Sequence, residues 1–167
     1  MSVILIGMPS SGKSTVGVIL AKQLGYDFID GDLEIQQQTG ELLWETIKRE
    51  GAEGFVAIES GVNSRICNER AVIATGGSAV YGEEGMKNLR RLGVVVYLEI
   101  EYDEMVRRLG NYEHRGIVIF EGRTLGEMYA ERRALYEKYA DVTVRVEGES
   151  LYGTVEKIIN EIKNKKF

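Results

Sequence analysis

Lys13 and Ser14 close the octet Gly7-Met8-Pro9-Ser10-Ser11-Gly12-Lys13-Ser14, whose spacing is G-x-x-x-x-G-K-[ST]. Glycines at both ends let the backbone curl so that successive N–H groups face one anion. A helix opening at this point aims its positive end at the same spot. Lys13 can reach phosphate oxygens as a point charge, and the Ser14 hydroxyl is a hard oxygen ligand suited to Mg²⁺. Gly7, Ser10, Ser11, Gly12, Lys13, Ser14 and Thr15 form the expected phosphate-facing set. The context agrees with the motif. Val3-Ile4-Leu5-Ile6 before it reads as a buried strand, and Thr15 to Leu24 after it reads as a helix with Val16, Ile19, Leu20 and Leu24 apolar. A glycine-rich turn without a ligand has no use for Lys13-Ser14 at that spacing.

Two further stretches carry chemistry. Asp30-Gly31-Asp32 follows a short apolar run. Near a phosphate loop, one of these carboxylates can hold the metal, and the other can orient or deprotonate a hydroxyl. Aspartates at such a turn also cap helices, but a cap needs only one of them, and Asp32 could do both jobs. Gly76-Gly77 permits close backbone approach to a ligand, or merely makes a tight turn. Arginines gather late in the chain, at Arg107, Arg108, Arg115, Arg123, Arg132 and Arg133, and solvated surface positions are expected for most. Arg115 falls in a stretch without clean period, where a closing lid could bring it to a transferring phosphoryl group. His114 is the sole histidine, so no histidine cluster or serine–histidine triad of the usual kind is possible.

The positioning elements alternate. Strands are expected at Ser2–Ile6, Tyr26–Ile29, Ala71–Ala74, Val94–Leu98 and Asp141–Val146. Helices are expected at 15–24, 33–38, 42–49, 53–68, 83–91, 103–109, 125–139 and 151–163, with 110–122 a lid-like loop. This order gives a parallel sheet with helices on both faces, and such sheets bind ligands at the carboxyl ends of their strands. The phosphate loop, Asp30–Asp32 and Gly76-Gly77 all lie at such ends. The 167 residues suit one domain, and 44% hydrophobic with 28% charged residues is ordinary for a soluble globular chain. A net charge of −5 disfavours nucleic acid as a partner. With no long apolar run and no leader-like start, the expected place is the cytoplasm, away from membranes. The lone Cys67 excludes an internal disulfide and is expected as a small buried thiol on the inner face of its helix.

On these residues the chain resembles the shikimate kinase family, in the nucleoside monophosphate kinase branch of phosphate-loop proteins. The resemblance runs through Gly7–Ser14, Phe28–Asp32, Glu50-Gly51 with Glu53, Phe55 and Glu59, Thr75-Gly76-Gly77, Val96-Tyr97-Leu98, Glu131-Arg132 and Leu135–Glu137. It implies a three-layer α/β P-loop NTPase fold with a five-stranded parallel sheet, an acceptor-binding region over about residues 31–60 and a lid over about 110–122. It implies ATP and Mg²⁺ as cofactors, with Ser14 and Asp30 on the metal side and Arg108 against adenine. Asp32 would bond the reacting hydroxyl, Gly76 and Gly77 would contact substrate, Arg132 would bind its carboxylate, and Arg115 would be the catalytic lid arginine beside Lys13. The implied activity is phosphorylation of shikimate to shikimate 3-phosphate by a monomer. Departures fall in the acceptor half. Val56 stands where the family has a carboxylate-pairing arginine, Ser78 replaces its third glycine, and Arg115-Gly116-Ile117-Val118 replaces Arg-Pro-Leu-Leu. Two alternatives stay open: a kinase of the same fold for another hydroxylated metabolite, and a catalytically silent nucleotide-binding regulator.

Overall fold

In the computed structural model, residues 1–110, 116–146, 148 and 150–165 are described. Five parallel strands form one sheet: β1 (Ser2–Gly7), β2 (Asp27–Asp30), β3 (Ala71–Ala74), β4 (Gly93–Glu99) and β5 (Val142–Arg145), in the spatial order β2-β3-β1-β4-β5. The described helices are α1 (Lys13–Leu24), α2 (Gly31–Thr39), α3 (Leu43–Arg65), α4 (Glu83–Leu92), α5 (Tyr102–Leu109), α6 (Leu125–Tyr139) and α7 (Leu151–Asn164). The central strand β1 is buried on both faces, which is why it reads as an unbroken apolar run. Its alternate residues serve different layers. Val3 and Leu5 pack with Val16, Leu20, Val155 and Ile158 of α1 and α7. Ile4 and Ile6 pack with Met86, Leu89, Met105, Met128 and Tyr136 of α4, α5 and α6. A third, smaller cluster joins Ile35 of α2, Phe55 and Val62 of α3, and Val118. The three-layer expectation therefore holds. The register Gly7 with Leu98, Leu5 with Ala74 and Ala74 with Asp30 brings the carboxyl ends of β1 to β4 to one edge.

Several local expectations are corrected. The segments expected at 42–49 and 53–68 form a single element, Leu43–Arg65, kinked at Gly51 (φ 73°, ψ 177°). One residue in the left-handed region bends the path without ending it. That element stops at Arg65, so Cys67 lies beyond its end and is exposed rather than buried. Helix α2 starts two residues earlier than the apolar pattern suggests, because the Asp30 side chain accepts from the Asp32 amide and caps it. A short 3₁₀ turn, Ala79–Tyr81, follows Ser78 and was not expected. Residues 111–115 of the expected lid, Arg115 and His114 among them, lie outside the described residues.

Candidate active site

The loop between β1 and α1 is shaped by two tight constraints. Gly7 (φ 150°) packs so closely on β4 that a Cβ would sit 2.7 Å from the Leu98 carbonyl oxygen. Ser10 (φ 62°) is the only non-glycine among the described residues with positive φ, and strain of that kind concentrates at ligand-binding turns. The Ser11 amide donates to the Met8 carbonyl at 3.2 Å and its side chain is fully buried, so Ser11 shapes the loop from inside. Lys13 opens α1 and its Nζ donates to the carbonyls of Gly7 and Met8, each at 2.8 Å. Burial lowers its pKa to about 8, against an upward pull from Asp32, so the ammonium charge persists at neutral pH.

A cavity of about 450 Å³ opens over this loop. Pro9, Ser10, Gly12, Lys13, Ser14 and Thr15 form its phosphate-loop wall, while Asp32, Phe55, Thr75, Gly76, Gly77, Ser78, Val118 and Arg132 form the opposite wall. Gly7 and Ser11 stand behind the first wall. Of the two aspartates, Asp30 makes the helix cap and Asp32 faces the cavity, so the capping and functional readings are both true of different residues. Burial raises the Asp32 pKa, with Asp30 adding to the rise and Lys13 opposing it. A carboxylate displaced in this direction is the better proton acceptor. On α5, Arg108 bonds Glu104 at 2.6 Å and reaches the Ser10 carbonyl at 3.5 Å, which places it beside the loop but off the cavity wall.

The glycine pair does something the sequence did not reveal. A Cβ on Gly76 would collide with Glu59 Oε1 and lie 2.8 Å from Asp32 Oδ1. A Cβ on Gly77 would lie 3.0 Å from Arg132 Nη1 and 3.0 Å from Pro9 Cδ. The pair therefore leaves room for three charged side chains, Asp32 and Arg132 on the cavity wall and Glu59 against Gly76. Arg132, on α6, is 1% exposed. It donates through Nη2 to the Val118 carbonyl and lies 5.4 Å over the Tyr81 ring, and its Nε has no partner. Tyr136, one turn along α6, donates to the Gly77 carbonyl at 2.6 Å and stacks on Tyr97.

A sequence model described as shikimate kinase matches residues 9–163. A protein named shikimate kinase 1 from Yersinia enterocolitica is 34% identical, with 98% of this chain and 96% of that protein covered. A solved shikimate kinase from Acinetobacter baumannii, in complex with shikimate, superposes with a TM-score of 0.89 at 30% identity over 99% of this chain and 94% of that one. A shikimate kinase from Aquifex aeolicus gives 0.82 at 30% identity, covering 98% and 97%. The chain belongs to the shikimate kinase family. It is an ATP-dependent phosphotransferase of P-loop fold, and the matched length leaves no large segment of those kinases unaccounted for.

Within this shikimate kinase fold, the structure gathers Ser10, Gly12, Lys13, Ser14, Thr15, Asp32, Gly76, Gly77 and Arg132 around one cavity. It keeps Asp30 and Arg108 adjacent to that cavity. Val56 is not on the described wall. Phe55 takes that place, and Val56 packs against the apolar cluster of Ile35, Phe55, Val62 and Val118. Sequence reasoning gave no role to Glu59, which is 1% exposed with its pKa raised to about 7, chiefly by burial, and with Oε1 unpartnered. A signal existed. Glu59 lies four residues after Phe55 and three before Val62, which puts a carboxylate on the apolar stripe of α3.

Proposed function

We propose that this chain transfers the γ-phosphoryl group of ATP to a hydroxyl of shikimate, giving shikimate 3-phosphate. The supporting observation is one cavity with the phosphate loop and Lys13 on one wall and half-buried Asp32 and buried Arg132 on the other. On this reading Lys13, Ser14 and the loop amides receive the triphosphate, Thr15 lies on the same turn, and Arg108 flanks the base. Ser14 and Asp30 would hold Mg²⁺. They offer hard oxygen donors, Asp30 keeping Oδ2 for the task once Oδ1 has capped α2. The ion, when bound, neutralises charge on the phosphates. Asp32 accepts a hydrogen bond from the reacting hydroxyl, holds it towards the phosphate loop and takes its proton. Arg132 meets the acceptor's carboxylate, and the amides of Gly76 and Gly77 approach the ring. Arg115 is proposed as the lid arginine from the family pattern alone. A single P-loop kinase domain, acting as a monomer on a small molecule in the cytoplasm, completes the reading. Net charge of −5 suits it, as does the lack of any described helix long and apolar enough to cross a membrane.

The test is ADP release by the pure protein with shikimate, together with Asp32→Asn. We expect turnover in the wild type and a drop in kcat of about 10²–10⁴-fold in the variant, with little change in the KM for ATP. Turnover with another hydroxylated metabolite but not with shikimate overturns the named acceptor. Apolar Val56 is the feature that favours such an acceptor, one lacking a carboxylate. ATP binding without turnover on any acceptor favours the silent regulator.

A further inference from the structure

Ser78 lines the cavity, is 4% exposed, and donates its hydroxyl to Glu59 Oε2 at 2.5 Å. Its backbone is pinned as well, since its carbonyl accepts from the Tyr81 amide at 3.0 Å and the 3₁₀ turn starts at the next residue. A serine hydroxyl has one proton and two acceptor lone pairs. While Glu59 is ionised it holds that proton, and Ser78 Oγ then has only acceptor lone pairs left to offer a ligand in the cavity. Glu59 itself is 1% exposed, and its other oxygen occupies the space beside Gly76 that a Cβ there would fill. Beside this part of the wall stand two carboxyl groups, Asp32 on the wall and Glu59 next to Gly76, while the cation Arg132 stands next to Gly77.

We propose that Ser78 is a specificity-determining residue of the acceptor site, reading one hydroxyl of the acceptor by accepting its hydrogen bond and turning anionic oxygens away towards Arg132. This rests on the shikimate reading. It assigns the polar ring substituents to the Ser78 and Asp32 side and the carboxylate to the Arg132 side. It also assigns a discriminating contact to a side chain where the family pattern has a glycine and therefore none.

The experiment measures kcat/KM for wild type, Ser78→Ala and Ser78→Thr with shikimate and with two analogues, each lacking one of the hydroxyls that is not phosphorylated. For Ser78→Ala we expect about a 5–10-fold loss on shikimate, carried by the acceptor KM, with the KM for ATP unchanged. With one analogue, the one lacking the hydroxyl that Ser78 reads, wild type and Ser78→Ala should be equal within about twofold. Ser78→Thr, which keeps the hydroxyl, should retain the preference for shikimate over that analogue. Equal losses for Ser78→Ala on all three acceptors, or no loss on any, overturn the proposal, since a purely structural role would not depend on the acceptor's hydroxyls. If Ser78→Ala does not fold, loss of discrimination between shikimate and both analogues in a folded Ser78→Thr overturns it too. Absence of turnover in the wild type is a different result. It overturns the shikimate reading itself, and this inference with it.

Discussion

Glu59→Gln should change how stability depends on pH more than it changes stability as such. Burial raises the Glu59 pKa from the usual 4.5 to about 7. In the window between those values the folded protein keeps a proton that the unfolded chain has released. Wild-type stability therefore falls as pH rises through that window and levels off above it. The displacement corresponds to about 3 kcal/mol. Glutamine has nearly the same shape, can accept from Ser78 and does not titrate. Relative to wild type, Glu59→Gln should thus gain about 3 kcal/mol between pH 4.5 and pH 8, or roughly 6–12 °C in Tm for a chain of this size. Asp32, also displaced upward by burial, contributes with the same sign, but it is present in both proteins. Lys13, its pKa lowered from 10.5 to about 8, begins to titrate only at the upper end of this range and with the opposite sign, and it too is present in both proteins. Urea denaturation followed by circular dichroism, at pH 5 and pH 8 for both proteins, reads the difference. A constant offset between the two proteins at both pH values would refute the burial argument.

Gly76→Ala places a methyl group on Glu59 Oε1 and 2.8 Å from Asp32 Oδ1, so it should destabilise by about 1–3 kcal/mol and raise the acceptor KM while sparing the KM for ATP. Urea midpoints and steady-state kinetics on both substrates check it. Val56→Arg should raise kcat/KM for shikimate about tenfold if the acceptor carboxylate is under-served by Arg132 alone, the worth of one charge-assisted hydrogen bond. An unchanged value means that Arg132 already meets that need.

The parts that the chain's pattern made legible are those fixed by local physics. Strands β1 and β4 are buried from both sides, so their apolar runs survive any detail of packing. Helix α6 begins at Leu125 as expected, and Thr124 and Glu127 fix that start with a reciprocal capping box. The arginines were legible in part. Arg132 lies four residues after Met128 and four before Tyr136, on the inward stripe of α6, whereas Arg133 lies about 100° around the helix from it. The structure buries Arg132 beside Val118, Tyr81 and Gly77, while Arg133 reaches Glu99 and Glu137 on the outer side. Cys67 failed for the complementary reason, since its fate depended on α3 stopping two residues short of it. Glu59 gains its meaning only when α3 packs beside the turn that follows β3 and meets Gly76, seventeen residues on in sequence.

The charges on the cavity wall constrain the acceptor more tightly than any single motif does. Two cations, Lys13 and Arg132, and two carboxyl groups, Asp32 and Glu59, converge within reach of one another's fields. Burying four such groups is costly unless each finds a counterpart. Asp32 and Lys13 offset each other, as do Glu59 and Ser78, whereas Arg132 Nε remains without a partner. On the proposed reading, a triphosphate engaging Lys13 would take from Asp32 the cation that holds its pKa down, and Asp32 would become more basic when a hydroxyl must give up its proton. Arg132 still lacks an anion, and the acceptor is what can bring one. An acceptor carrying hydroxyls at one edge and a single carboxylate at the other would complete this set, because the hydroxyls meet Asp32 and Ser78 and the carboxylate meets Arg132. A neutral polyol would leave the Arg132 donor unsatisfied, and a dianion would drive its second charge towards Glu59. On this ground a monocarboxylate such as shikimate fits the wall better than an acceptor without a carboxylate, even with Val56 in place of the second arginine.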